Sequence, residues 1–172
     1  MKNITKLFAI AIAIIGFSAT SFAQGTSTKS ASASAKIVES LVLTNTVPLN
    51  FGTMTVPTSA ATVTIAPGGV RTSSGTLSLL TIAPVSTDAT YTVAGDKNAT
   101  YVVTLPADGV VSIVSGSNSM TINSFKLTGD LTTRTLSGAG NDTFDVGATL
   151  GLASGQAAGS YIGSFDVTVA YN

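Results

Sequence analysis

The stretch Ser164-Phe165-Asp166-Val167-Thr168-Val169-Ala170-Tyr171-Asn172 decides the fold. Phe165, Val167, Val169 and Tyr171 alternate with Asp166, Thr168 and Ala170. Successive side chains of a strand point to opposite faces, so this period of two gives a strand with one apolar face and one wet face, as in an antiparallel sheet. Residues 143–150 repeat the pattern, with Phe144, Val146, Ala148 and Leu150 on one side. Residues 90–94 and 99–105 are two more strands, joined by Gly95-Asp96-Lys97-Asn98, where Gly and Asn tolerate the positive φ of a tight turn. That spacing predicts a hairpin with Tyr91 facing Tyr101 across it.

Further strands are expected at residues 35–44, 61–66, 77–82, 110–114 and 120–127. Pro48, Pro57, Pro67, Pro84 and Pro106 all fall between these segments, where the missing N–H disturbs no ladder. No segment of ten or more residues has a 3.6 period. About eight or nine short strands separated by turns predict one all-β domain, a sandwich in preference to a barrel.

Composition agrees. Residues 24–172 contain 25 Thr and 19 Ser, with Val and Ile prominent and Glu, Gln and Lys sparse. The chain has no Cys, His or Trp, which excludes imidazole or thiolate metal sites, a Ser-His-Asp triad and a thiol nucleophile.

Residues 1–23 read as a secretory signal peptide. Lys2 and Lys6 precede the apolar run 7–17, and Ser21-Phe22-Ala23 offers small residues for cleavage before Gln24. The run is eleven residues long, short of the roughly 20 that span a bilayer, and no Cys follows it for a lipid anchor. Cleavage leaves 6 basic and 8 acidic groups, a net charge of −2, with no basic face for nucleic acid and no transmembrane segment. Residues 24–34 form a Ser/Ala/Thr-rich segment, expected to be flexible, and 35–172 the sandwich.

At the C-terminal end Tyr171 is penultimate, Gly159 stands fourteenth from the end, and alternating apolar residues lie between Tyr161 and Tyr171. This resembles the terminal motif of chaperone-usher pilus subunits. In that family the strand is gripped by a periplasmic chaperone, and an incomplete immunoglobulin-like sandwich is completed by a neighbour's N-terminal strand. A wider resemblance rests on Ala33-Ser34-Ala35-Lys36-Ile37-Val38, Leu49-Asn50-Phe51-Gly52, Val146-Gly147-Ala148-Thr149-Leu150 and Gly155-Gln156-Ala157-Ala158-Gly159-Ser160-Tyr161. Together these look like the bacterial family called domain of unknown function 4402, similar to spore-coat-protein-U and fimbrial sandwiches. The resemblance implies an immunoglobulin-like antiparallel β-sandwich of about seven to nine strands, completed by strand donation, with Gly159, Tyr161, Phe165, Val167, Val169 and Tyr171 as the interacting C-terminal strand. As a donor, residues 24–35 offer Thr26, Thr28, Ser30, Ser32 and Ser34 on one face and nothing larger than Lys29 and alanines on the other. Larger knobs must come from Ile37, Val38 and Leu41.

Other sites read as structural. Phe51 of Asn50-Phe51-Gly52 belongs in the core at a strand end, and Gly68-Gly69 and residues 138–141 are turns with no phosphate-loop Lys-Ser/Thr after them. Glu39, Asp88, Asp96, Asp108, Asp130, Asp142, Asp145 and Asp166 are the only carboxylates for acid–base work, and most sit in expected turns. Asn141, Asp142 and Asp145 could offer oxygens to Ca²⁺, although a solvated turn accounts for them better. Phe51, Phe125, Phe144, Phe165 and Tyr171 are assigned to the core, leaving Tyr91, Tyr101 and Tyr161 as the exposed rings for sugar stacking.

The expectation is a non-enzymatic exported protein of the cell surface or extracellular space, with the periplasm as another destination. It needs no cofactor or metal. It works as a structural or adhesive fimbria-like subunit, its partners a periplasmic chaperone and further copies of itself in filaments. The alternative is a monomeric secreted module that binds a glycan or protein.

Overall fold

The computed structural model describes residues 25–172, so the expected signal peptide lies outside the described residues. The chain divides into two units, Met1–Lys36 and Ile37–Asn172. In the first, the described residues 25–36 are exposed and form neither strand nor helix.

The second unit is all-β. Its strands are β1 (Val42–Val47), β2 (Ala61–Ile65), β3 (Arg71–Ser74), β4 (Ala89–Ala94), β5 (Thr100–Thr104), β6 (Val111–Ser115), β7 (Asn118–Leu127), β8 (Thr133–Thr135), β9 (Asn141–Leu152) and β10 (Thr168–Tyr171). They form two antiparallel sheets that do not close into a barrel, one of seven strands and one of three ordered β10-β5-β8. In the larger sheet β9 is the hub: it pairs with β4, β2 and β7, and β1, β3 and β6 extend the sheet beyond them.

Packing follows the period of two. Along β9, Phe144, Val146, Ala148, Leu150 and Leu152 are buried, as are Val63 and Ile65 of β2 and Tyr91 and Val93 of β4. Each such side chain contributes about 1.5–3 kcal/mol on leaving water. The interior has two clusters. One joins Ala89, Tyr91, Val93, Tyr101, Val103, Leu127, Leu136, Phe144 and Val146, and the small sheet covers it through β5 and β10. The other gathers Phe51, Val63, Ile65, Leu77, Met120, Ile122 and Leu150 among others, and the hydrophobic side chains half-covering it include Leu49, Met54, Tyr161 and Phe165. Those four stand outside any strand. Half of the sandwich therefore lacks a regular second layer.

The structure corrects four expectations about elements. The expected hairpin does not exist: β4 pairs with β1 and β9 in the large sheet, whereas β5 pairs with β10 and β8 in the small one. Residues 95–98 carry the chain between sheets, because a turn reverses direction without dictating which strand lies alongside. The first strand starts at Val42 and not at residue 35, since its ladder with β4 spans only Val42 to Val47 and residues 35–40 are exposed. Residues 77–82 form a single bridge, Leu79 to Met54, before an exposed loop with a cis Ala83–Pro84 peptide. Finally, β3 and β8 are strands although Arg71-Thr-Ser-Ser and Thr133-Arg-Thr show no apolar alternation. Both end their sheets, where a polar strand discourages unwanted pairing.

Candidate functional site

The six residues singled out at the C-terminal end lie on one run. Phe165, Val167, Val169 and Tyr171 are half-buried and alternate with exposed neighbours, so the two-residue period continues beyond the short β10. All four pack on the cluster under the small sheet, and Phe165 also meets Phe125, ring centroids 4.9 Å apart. Tyr161 packs on the other cluster, its hydroxyl donating to Ala157 O at 2.7 Å and accepting from Gln156 Nε2 at 2.9 Å.

This run has one paired edge and one open edge. Asn172 N–H donates to Thr100 O at 3.2 Å, and Ile162 exchanges both backbone bonds with Val114 of β6, at 2.9 and 3.0 Å. Even-numbered residues thus turn their backbone groups toward β5 and β6. Because N–H and C=O of successive residues point to opposite edges, the odd-numbered residues turn theirs the other way. No strand among the described residues lies beyond β10 on that side. An edge with an apolar underside and unpaired amides is a template for another strand.

Two glycines let the run lie against β6. A Cβ on Gly163 would sit 2.6 Å from Ser112 O, and one on Gly159 would sit 2.7 Å from Ser115 Oγ. At the far end Tyr171 is fixed by its own hydroxyl, which donates to Glu39 O at 2.6 Å and accepts the Asp96 N–H at 2.7 Å.

Beside the start of the run lies a groove of about 500 Å³. Its floor is Ile113, Met120, Ile122, Leu150 and Leu152; one wall is residues 49–57 and the other residues 156–165. Arg71 anchors the first wall, reaching Thr53 O at 2.7 Å and Leu80 O at 3.1 Å. Its Nε is buried without a partner among the described residues, and burial lowers the guanidinium pKa. Gly52 has φ of +70° there, and a Cβ would meet Ser86 N at 3.0 Å. No sequence pattern announced this wall. The signals available were a lone Arg on a polar strand and the Asn50-Phe51-Gly52 turn, where Asn50 Oδ1 accepts the Gly52 N–H at 2.8 Å.

The remaining candidates resolve into structural roles. Tyr91 and Tyr101 are 8% and 0% exposed, so neither offers a ring to a sugar. Tyr91 stacks on Phe144 at 5.5 Å, while Tyr101 donates to Asp142 Oδ2 at 2.7 Å. Arg134 grips the same carboxylate with two bonds, at 2.7 and 3.1 Å, and lies over the Phe144 ring. Burial opposes the Asp142 charge, but hydrogen bonds from Arg134, Tyr101 and the Thr143 amide leave its pKa below the usual carboxylate value. Burial, then Asp142, pushes Tyr101 up to about 12.

Asp142 and Asp145 stand within β9 and not in a turn. Three positions apart on a strand, they face opposite sides and do not converge on a cation. Among the described residues no three His, Cys, Asp or Glu gather as metal ligands. Asp88 accepts the Gly68 N–H and Asp108 the Ser124 N–H, both at 2.6 Å.

Fold and site together define a two-sheet antiparallel sandwich with an open C-terminal edge and an apolar groove beside it. Residues 41–171 match the family described as Domain of unknown function (DUF4402), and the chain belongs to that family. No curated protein and no solved structure matches it. Among the described residues no helix is long and apolar enough to cross a membrane.

Proposed function

We propose that this protein is an exported structural or adhesive subunit of the bacterial surface that joins other chains by strand addition along its C-terminal edge. The observation that carries the reading is the open edge of residues 161–171, apolar beneath and unpaired beside. It differs from the polar ends at β3 and β8, which carry Thr, Ser and Arg over four and three residues. The secretory pattern of residues 1–23 supports export. Main-chain hydrogen bonds supply the affinity of an added strand, and its alternate side chains set the register.

Proline substitution separates the two edges. Val169 turns its N–H outward, so Val169→Pro removes a docking donor while keeping the ladder to β5. Ala170→Pro removes a donor from that ladder and serves as the contrast. Sedimentation of the mature chain is expected to show multimers for the wild type and monomers for Val169→Pro, with the β circular dichroism signal kept. A monomeric wild type, or a folded Val169→Pro chain that still assembles, overturns the reading.

A further inference from the structure

Asn-X-Ser/Thr, the acceptor pattern for attaching an oligosaccharide to asparagine, occurs three times: Asn3-Ile4-Thr5, Asn98-Ala99-Thr100 and Asn141-Asp142-Thr143. The first lies in the expected signal peptide, outside the described residues. Of the three, only Asn98 has an acidic residue two positions before it, Asp96, where Asn141 has Ala139. An acidic residue at that position belongs to the longer acceptor pattern read by bacterial transferases, which act on the outer side of the cytoplasmic membrane.

The fold separates the two described candidates further. A carboxamide nitrogen is a poor nucleophile, because its lone pair is delocalised into the carbonyl, so a transferase must enclose the side chain to activate it. The acceptor has to be accessible. Asn98 stands between β4 and β5 with φ of +58°, a left-handed conformation that Asn tolerates better than most side chains. Lys97, Asn98 and Thr100 are all exposed. The turn itself is held by backbone, Asn98 N–H donating to Ser137 O and Ala99 N–H to Asp96 O, both at 3.2 Å. The Asn98 carboxamide and the Thr100 hydroxyl make no hydrogen bond among the described residues. A Cβ added to Gly138 would approach Asn98 Oδ1 alone, at 3.8 Å, so the neighbouring loop leaves room beside the carboxamide.

Asn141 is placed differently. It opens β9 opposite Ala94 of β4, and its Nδ2 donates to Ala139 O at 3.5 Å. Asp142, the middle residue of that pattern, is held by Arg134 and Tyr101. Enclosing residues 141–143 would break the network that joins the sheets. We infer that Asn98 is the attachment site of an N-linked oligosaccharide, delivered from a polyprenyl-diphosphate-linked donor. Asn98 Nδ2 forms a bond to the anomeric carbon of the first sugar, and the bond from that carbon to the phosphate oxygen breaks. The polyprenyl diphosphate leaves with the electron pair, and one Nδ2 proton passes to a base of the transferase. The inference rests on the export that the proposed function assumes.

The test is mass spectrometry of the protein purified from the bacterium that makes it. Cleavage after Lys and Arg puts Asn98 and Asn141 in different peptides, since Lys126 and Arg134 lie between them. The expected result is a chain that begins at Gln24, with an oligosaccharide mass on the Asn98 peptide, localised to Asn98 by electron-transfer fragmentation, and none on the Asn141 peptide. Thr100→Val and Asn98→Asp, the latter keeping a residue that tolerates positive φ, should lose the added mass, and Thr100→Ser should keep it. An unmodified Asn98 in a chain that begins at Gln24, or a Thr100→Val chain that keeps the mass, overturns the inference and leaves export standing. A chain that begins at Met1 overturns both.

Discussion

Asp142 links the two sheets through charge. From β9 it receives Arg134 of β8 and Tyr101 of β5, with the Arg134 and Asp142 side chains only 15% and 19% exposed. Removing one member strands the others, so Asp142→Ala is expected to lower stability by about 3 kcal/mol, and Tyr101→Phe by about 1 kcal/mol, measured by urea unfolding. The pH dependence has two limbs. Asp142 is lowered in the folded chain, so its contribution is complete above the ordinary carboxylate value of 3.8 and fades as pH falls through the folded value. Tyr101 is raised from 10.0 to about 12, so its contribution is complete below pH 10 and is lost between those values. Tyr101→Phe should remove the Tyr101 share of the alkaline limb, leaving that of Tyr91, which burial also raises, and should weaken the acid limb as well, since the Tyr101 hydroxyl is one of the donors that lower Asp142; an alkaline limb unchanged in that variant would assign it elsewhere.

Elements were readable wherever a strand has one dry and one wet face. The alternations of Phe144 to Leu150 and Phe165 to Tyr171 come from burial against a single core, and the sequence displays that burial directly. The polar β3 and β8 gave no such signal, because an edge strand can hold its place by backbone pairing alone. Tyr91 and Tyr101 were misplaced for a different reason: residues 95–98 announce a turn, but the partners of β4 and β5 are set by residues far along the chain. The open edge was legible as a strand motif; the groove was not, since its walls are irregular backbone held by Arg71, Gly52 and Gly163. The Gly163 contact can be tested. In Gly163→Ala the new Cβ meets a backbone oxygen 2.6 Å away, a misfit of about 1–3 kcal/mol. The Val114 amide, bonded to Ile162 O at 2.9 Å, should then exchange faster with solvent, and a dye specific for apolar surface should bind more strongly. An unchanged Val114 amide would mean that Gly163 does not hold the wall.

At the scale of the whole molecule the uneven second layer makes stability depend on neighbours. The small sheet covers the cluster around Tyr101 and Phe144, whereas the cluster around Met120 and Ile122 ends at a groove. A second copy that binds the folded chain and not the unfolded one stabilises it by mass action, about 2.7 kcal/mol when its concentration is a hundredfold above Kd. The midpoint of thermal unfolding should therefore rise with protein concentration in the wild type. It should stay flat in Val169→Pro, which lacks the docking donor but keeps the intrachain pairing of β10 with β5. Scanning calorimetry over a wide range of chain concentrations reads both slopes. A flat wild type would mean that each sandwich is complete in itself, whereas equal slopes in both chains would place the association on a surface other than the C-terminal edge.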